Sequence, residues 1–556
     1  MLHSPVRALA LGGVALLAVA AGPVLAQTLP YGSTDEAEAK PAKGPSARTR
    51  IQPYLEAAQV LSAELSPGND VLTYSTVAAG VDATIAGRKT QGQVSVRYER
   101  RIAWDDRTSG GDQVTGIARV KHDIVPRTLA IEAGALAART RVEATGGASL
   151  NPFDGGDAVS QVYSLYAGPS FSTHAGDIAL SGSAAVGYNR VESPDALQVA
   201  PGQPRLDVFD DSVTTSAQLA AGIAPGEVLP VGVTVSGAYA REDISNLDQR
   251  VEDAHAQVDL LYPVAPDLAL VAGVGYERVR VSSRDAVRDA TGAPVIGSDG
   301  RYVTDGSAPR RLAYDVDGII WDAGVMWRPS RRTSLAATVG RRYGSTSYTG
   351  SFAWAPDDRR SLNVSVYDSV SGLGTQMNRA LADLPTDFEV LRDPITGNLN
   401  GCVTGVANGL CLNNALASVS SATFRSRGVN LSYGQRIGRL SAGLGAGYDR
   451  RKFIAAPGTV LAQANGVIDE TWYVGATLTG PLGRDAGFGT AVHANWYRSG
   501  FSSAGDATAL GANASYYRNL TDRLVATAAV SVDGIDRRIL DDEWLASALL
   551  GLRYNF

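Results

Sequence analysis

In the last stretch of the chain every second residue is apolar or aromatic: Trp544, Ala546, Ala548, Leu550, Leu552, Tyr554 and Phe556. Between them stand Leu545, Ser547, Leu549, Gly551, Arg553 and Asn555, a mixed and more polar set. A period of two predicts a strand whose two faces meet different surroundings. The run is longer than most soluble strands and long enough to cross a bilayer at a tilt. The same alternation recurs along the chain. Val94, Val96 and Tyr98 alternate with Ser95, Arg97, Glu99 and Arg101, and Leu440, Ala442, Leu444, Ala446 and Tyr448 alternate with Ser441, Gly443, Gly445 and Gly447. Phe488, Thr490, Val492, Ala494 and Trp496 alternate with Gly489, His493 and Asn495. A helix with this pattern would scatter polar groups around its whole cylinder. Strands with it can turn an apolar face to lipid and a polar face to a lumen.

The connections have two lengths. One set is short: Gly87-Arg88-Lys89-Thr90, Val125-Pro126-Arg127, 263–267, 328–332, 356–360, 436–439 and 518–523. These hold the Pro, Asp, Asn and Gly that tight turns need. The other set is long: 143–157, 192–211, 282–316, 371–422 and 452–468. Counting back from the terminal strand, whose end is taken as periplasmic, the two sets alternate. The predicted fold is all-β: a transmembrane antiparallel up-and-down β-barrel of about 22 strands, with short periplasmic turns and long extracellular loops. One hairpin stays open at this stage: in 341–348, Gly344-Ser345-Thr346 reads either as a turn or as a kink. The aromatic residues fit two interfacial girdles. Trp104, Tyr188, Tyr239, Tyr276, Tyr448, Trp472, Trp496 and Trp544 fall near the extracellular strand ends. Phe171, Tyr262, Trp327, Trp354, Tyr433, Tyr516 and Phe556 fall near the periplasmic ends.

The start of the chain supplies an address. His3 and Arg7 form a short basic region, 8–21 is apolar but too short to span a bilayer, and Val24-Leu25-Ala26 is a small-residue cleavage site before Gln27. Residues 1–26 therefore read as a secretory signal peptide and 27–50, rich in Ala and Pro, as a disordered periplasmic arm. The barrel then occupies 51–556, and the expected destination is the outer membrane of a Gram-negative bacterium. Composition agrees: Gly 61 and Tyr 22 against Cys 2 and Met 3 suit a barrel with many turns and two aromatic belts. A formal net charge of -6 argues against nucleic acid as a partner.

The middle of the chain carries a resemblance. Trp327-Arg328-Pro329-Ser330-Arg331-Arg332-Thr333-Ser334-Leu335, then Gly340-Arg341-Arg342-Tyr343-Gly344 and Ser347-Tyr348-Thr349-Gly350, resemble outer-membrane barrels associated with exopolysaccharide and PEP-CTERM-type protein-sorting loci, the putative beta-barrel porins. Ile51-Gln52-Pro53-Tyr54 and 161–169 add weaker support. The resemblance implies a barrel with a role near surface polysaccharide, and polysaccharide export machinery as a partner. It carries over no catalytic or binding residues.

Candidate chemistry is sparse. His122, His174, His255 and His493 lie on separate strands or turns, without a nucleophile motif and without the HxxxH or HxH spacing of a metal site. The expectation is no enzyme, no metal and no cofactor. Asp105-Asp106, Asp210-Asp211 and Asp541-Asp542 read either as solvated loop charge or as groups that bind divalent cations or bridge lipopolysaccharide. Arg97, Glu99, Arg101, Arg119 and Arg139 are expected to face the lumen, and a cysteine placed at Ser95 should react with hydrophilic thiol reagents. Cys402 and Cys411, in the longest loop of an exported chain, are expected to form a disulfide that stiffens the loop tip, either as a lid over the mouth or as protection against proteolysis. Tyr554 and Phe556 resemble the terminal signal read by the barrel assembly machinery. Other expected partners are outer-membrane lipid and lipopolysaccharide. A barrel of about 22 strands is wide enough to need a plug. Residues 27–50 are too short to be one, which turns attention to 282–316 and 371–422. Two functions remain: a conduit for hydrophilic solutes or exported exopolysaccharide, or a structural barrel whose loops contact surface polysaccharide.

Overall fold

The computed structural model describes residues 48–104, 110–141, 159–192, 211–386, 388–404, 410–411, 422–501, 505–538 and 541–556. The first strands are β1 (Arg48–Ser66), β2 (Val71–Ala86), β3 (Thr90–Ala103), β4 (Gly111–Val125), β5 (Leu129–Arg141), β6 (Val159–Ala175), β7 (Ile178–Glu192) and β8 (Asp211–Ile223). They are followed by β9 (Gly232–Ile244), β10 (Gln249–Ala265), β11 (Leu268–Ser283), β12 (Arg311–Ser330), β13 (Thr333–Arg342), β14 (Ser345–Asp357) and β15 (Arg360–Ser371). A helix, α1 (Leu373–Ala382), and three short strands, β16 (Glu389–Arg392), β17 (Leu399–Thr404) and β18 (Leu410–Cys411), come next. The chain closes with β19 (Thr423–Ile437), β20 (Leu440–Ile454), β21 (Ile468–Pro481), β22 (Ala486–Arg498), β23 (Ala507–Asn519), β24 (Leu524–Arg537) and β25 (Glu543–Asn555).

All but β16–β18 belong to one 22-stranded antiparallel sheet. Each strand pairs with its chain neighbour, and β25 pairs back onto β1, from Tyr54 opposite Asn555 to Ser66 opposite Trp544. The sheet is therefore a closed barrel without an edge, the form in which strands can cross a bilayer with every backbone group paired. The strand count matches the one predicted from loop lengths. The first strand begins at Arg48, so 48–50 belong to the wall rather than to the expected arm. Residues 1–47, with the expected signal peptide, lie outside the described residues.

The alternation is realised as two faces. Leu550 is 71% exposed and its neighbour Leu549 is 5% exposed. On β2, Val71, Val77 and Val81 point outward while Leu72, Tyr74 and Ala78 are buried inside. Trp104, Tyr188, Tyr262, Trp327 and Trp496 are exposed on the outer face. Trp354 and Trp544 share it, half-buried, the first under Arg360 and the second donating to Asp536 at 2.9 Å.

Connections are short at the end where Phe556 lies, as at 331–332, 358–359 and 438–439, and long at the other, as at 284–310 and 372–422. Between β13 and β14 the chain reverses at Tyr343 (φ 55) and Gly344 (φ 69), both left-handed. Two such residues make the turn that suits a tight hairpin, so the open reading of this segment resolves as a turn.

Candidate functional site

Several inner-face positions are apolar where the alternation predicts polar residues. Ile117 on β4, Leu136 and Ala138 on β5, Val162 and Tyr166 on β6 and Val191 on β7 are all buried inside the ring. They pack against Leu373, Met377, Leu381, Leu384 and Phe388, which belong to the connection between β15 and β19. That connection is folded into the barrel. Leu373, Met377 and Leu381 recur every fourth residue and so share one face of α1. A helix of ten residues is marginal alone in water. Burial of these three side chains, worth about 1.5–3 kcal/mol each, is what holds α1 helical against the wall.

Both ends of α1 are met by ionisable groups of the wall. Its N-cap residue, Gly372, has no side chain to satisfy the free amides. Glu242, on β9, takes that role: it accepts the N–H groups of Gly372 at 3.0 Å, Gly374 at 2.9 Å and Thr375 at 3.0 Å. Glu242 is 1% exposed, so these bonds and the positive end of the helix dipole offset its desolvation. Gly374 permits the approach, since a Cβ there would lie 2.2 Å from Ser212 Oγ and 2.8 Å from Glu242 Oε1. At the C-terminal end Arg119, on β4, donates to the carbonyl oxygens of Leu381 at 2.9 Å and of Ala382. The same guanidinium bonds the Tyr166 hydroxyl at 2.7 Å and Glu132 at 2.8 Å. Mid-helix, Asn378 bridges Ser164 at 2.8 Å and Thr214 at 2.7 Å, and Arg451 of β20 donates to Gln376 at 3.0 Å.

Beyond α1 the chain runs along β4 and β3 toward the closing seam of the barrel. Arg392 donates to Thr115 Oγ1 at 2.6 Å and to Ser95 Oγ at 3.1 Å. Gln113 donates to the Thr396 carbonyl at 3.0 Å and Thr115 to the Gly397 carbonyl at 3.1 Å. Asp393 folds the tip by accepting the amides of Ile395 and Thr396, and takes Asn513 Nδ2 of β23 at 2.9 Å. Ile395 then packs among Ala58, Val60, Tyr74, Ala529 and Leu549, on β1, β2, β24 and β25. Leu549 lies halfway along β25, so the segment reaches mid-membrane depth. Asp383, just past the helix, is exposed toward the lumen. Enclosure by the wall still pushes its carboxyl up to about 6, against the pull of Arg119 and Arg379.

The residues expected to line the lumen do so with one qualification. Arg97 is buried between Glu56 at 2.9 Å and Glu99 at 2.7 Å, Arg101 lies 4.7 Å from the centre of the Tyr74 ring, and Arg119 holds α1. Arg139 falls on the outward parity of β5, opposite in sense to Leu136 and Ala138. Pairing of β4 with β5 ends at Gly116–Ala137, however, and beyond it the Arg139 guanidinium reaches Gln113, an inner residue. Ser95 faces inward, but Arg392 and Asp82 cover it, so the expectation that a cysteine there is open to water is corrected. Cys402 stands directly opposite Cys411 across β17 and β18; the expected disulfide itself lies outside the described side chains. The Tyr554 and Phe556 rings meet edge to face at 5.1 Å, and the Phe556 amide donates to the Pro53 carbonyl at 3.1 Å, at the closing seam.

Sequence reading missed Glu242, Asn378, Arg392 and α1. The signals were present: Leu373, Met377 and Leu381 at helical spacing inside a supposed loop, and Ile117, Leu136 and Val162 at positions that should have been polar. Among the described residues no group of three or more His, Cys, Asp or Glu side chains converges as a metal site would.

No family model matches the chain, and no curated protein matches it. Among solved structures it is similar to the FrpB iron transporter from Neisseria meningitidis (F5-1 variant), at 12% identity and TM-score 0.41, over 90% of this chain and 82% of that one. It is also similar to the siderophore receptor PiuA from Acinetobacter baumannii, at 10% identity and TM-score 0.39, over 90% and 82%. The ferric-catecholate import receptor Fiu from E. coli K12 gives 8% identity and TM-score 0.43, over 90% and 81%. Likenesses this remote leave the assignment to the chain's own register: a closed 22-stranded transmembrane barrel of the outer membrane, with lipid-facing aromatic belts and a segment of its own across the lumen.

Proposed function

We propose that the chain is an outer-membrane conduit for hydrophilic solutes, closed at rest by residues 372–404. The observation that carries this is the segment's position. A ring this wide encloses a water channel unless something fills it, and α1 with the strands after it lies across the lumen from the β4–β9 wall to β23–β25. Much of its anchorage is hydrogen bonds and ion–dipole contacts, which water can replace, and that favours a closure that can be undone. The cargo we propose is hydrophilic, and the resemblance to barrels of exopolysaccharide loci makes a surface polysaccharide the form to try first. Deleting 380–415 tests the closure. The expected result is a folded, heat-modifiable barrel with raised single-channel conductance in planar bilayers and raised sensitivity to large antibiotics. A folded deletion variant with unchanged conductance would show that the segment does not close the pore.

One observation favours a second reading. The apolar cluster around Leu373, Met377 and Leu381 is fully packed, as in a barrel that never opens and serves as a scaffold for loops that contact surface polysaccharide. Wild-type protein that stays silent under every voltage and pH, while the deletion variant conducts, supports that alternative.

A further inference from the structure

The outer face of β19–β22 carries charge that the fold leaves unbalanced. Strand register sets Arg427 opposite Arg450 and Arg425 opposite Lys452, two like-charged cross-strand pairs side by side. Like charges directly opposite each other destabilise a sheet. Arg498, on β22, adds a further cation, its guanidinium 5.1 Å from the centre of the Trp472 ring. Among the described residues of this face, two carboxylates answer these five cations. Asp368 of β15 lies 2.7 Å from Arg425 and 3.1 Å from Arg427. Glu470 of β21 is 4.0 Å from Arg450 and accepts the Tyr448 hydroxyl at 2.7 Å. The neighbouring Asp449 and Asp469 are no help: both are buried on the inner face, engaged by Arg451 and Tyr497. The connection 455–467 above holds no acidic residue.

What lies beneath the cations is equally specific. On the same face, one step toward the membrane, the Tyr448 and Trp472 rings meet at a tilt with centres 5.1 Å apart, with Trp496 beside them. Below these, Leu444, Val474 and Val492 are exposed. Cations, then an aromatic belt, then an apolar wall, at the end of the barrel that bears the long loops, match an amphiphile with an anionic head and hydrocarbon tails in the outer leaflet. We infer that this face binds a phosphorylated, acylated glycolipid of the outer leaflet. Its phosphate is bridged by Arg450, Lys452 and Arg498, and its acyl chains lie on Leu444, Val474 and Val492. The bound phosphate supplies the negative charge that relieves the two like-charged pairs. The inference rests on the membrane-spanning fold and is independent of whether the lumen opens.

Native mass spectrometry of the whole protein, with bis-phosphorylated lipid A or the same lipid freed of its phosphates, tests this without altering the chain. Phosphorylated lipid A should be retained, and dephosphorylation should weaken binding by at least about tenfold, the scale of one lost charge-assisted contact. The triple variant R450Q, K452Q, R498Q should show the same loss while still migrating as a folded barrel. Arg278→Gln, an outward cation on β11, should bind as wild type. Equal retention of the two lipids by unaltered protein would overturn the proposal. So would a folded triple variant that keeps full affinity, or displacement of lipid A by inorganic phosphate at equal concentration.

Discussion

Glu242 and Arg119 hold opposite ends of one helix from opposite ends of a stretch of wall. The carboxylate of Glu242 takes the first amides of α1, and the guanidinium of Arg119 takes its last carbonyls. Each sits where its charge opposes the helix dipole. The two residues lie on β9 and β4, so the helix is strapped across five inter-strand steps of the barrel rather than fixed at one point.

Replacing Glu242 by Gln removes the charge and leaves the shape. A buried carboxylate at a helix N-terminus contributes up to ~2 kcal/mol, so the undocked population should rise by up to roughly thirtyfold. Single-channel recording should show more frequent openings of unchanged size, with the barrel still heat-modifiable. Opening statistics identical to wild type would sink the latch role of Glu242.

Asp383 makes the closure sensitive to pH. Enclosure raises its carboxyl to about 6 when α1 is docked, above the ordinary value of 3.8 that it regains on release. Between those values the docked state binds the extra proton, so docking is favoured in acid and weakens as pH rises from about 4 to about 6, then levels off. Open probability should therefore climb over that window and stay flat above it. Asp383→Asn should abolish the climb; a variant that keeps the full wild-type dependence would assign the effect to another group.

Ser95 reports whether the segment is in place. A cysteine there should react slowly with small charged thiol reagents in the intact protein, because Arg392 covers the position. In the 380–415 deletion it should react fast. Rapid labelling in both proteins would mean that Arg392 leaves its seat readily, and protection in both would place the position outside the water-filled lumen.

Phe556 completes the seam between β25 and β1, where its amide bonds Pro53 and its ring packs on Tyr554. Deleting it should leave the chain degraded or unassembled in the periplasm. Normal outer-membrane levels of a heat-modifiable form would dismiss the terminal residue as an assembly signal.

The wall was readable because its rules are local. From Trp544 to Phe556 the apolar residues recur with a period of two, and Leu550, Leu552, Tyr554 and Phe556 do face outward. The turns at 331–332 and 358–359 announce themselves through Arg328-Pro329-Ser330 and Pro356-Asp357-Asp358. The segment across the lumen was only partly readable, because its anchors lie far apart in sequence. Nothing near Glu242 says that it will meet Gly372, and nothing near Ser95 says that Arg392 will cover it. What sequence does carry is the breach of pattern: Ile117 between Thr115 and Arg119 spoils a polar face, and such breaches mark where an inner surface is dry. Arg139 reaches the lumen by a route that parity does not show. Parity fixes where a Cβ points, but a long side chain at the end of a ladder can reach round to the other face.

Glu242 has a second consequence, which concerns the pore once it is open. With α1 gone, Arg119 keeps Glu132 as its counter-ion, but Glu242 loses the three amides that satisfied it. The open lumen would then present a bare carboxylate at that depth. The group that shuts the barrel would become a filter that draws cations in and turns anions back, so ion selectivity would follow directly from how the pore is closed.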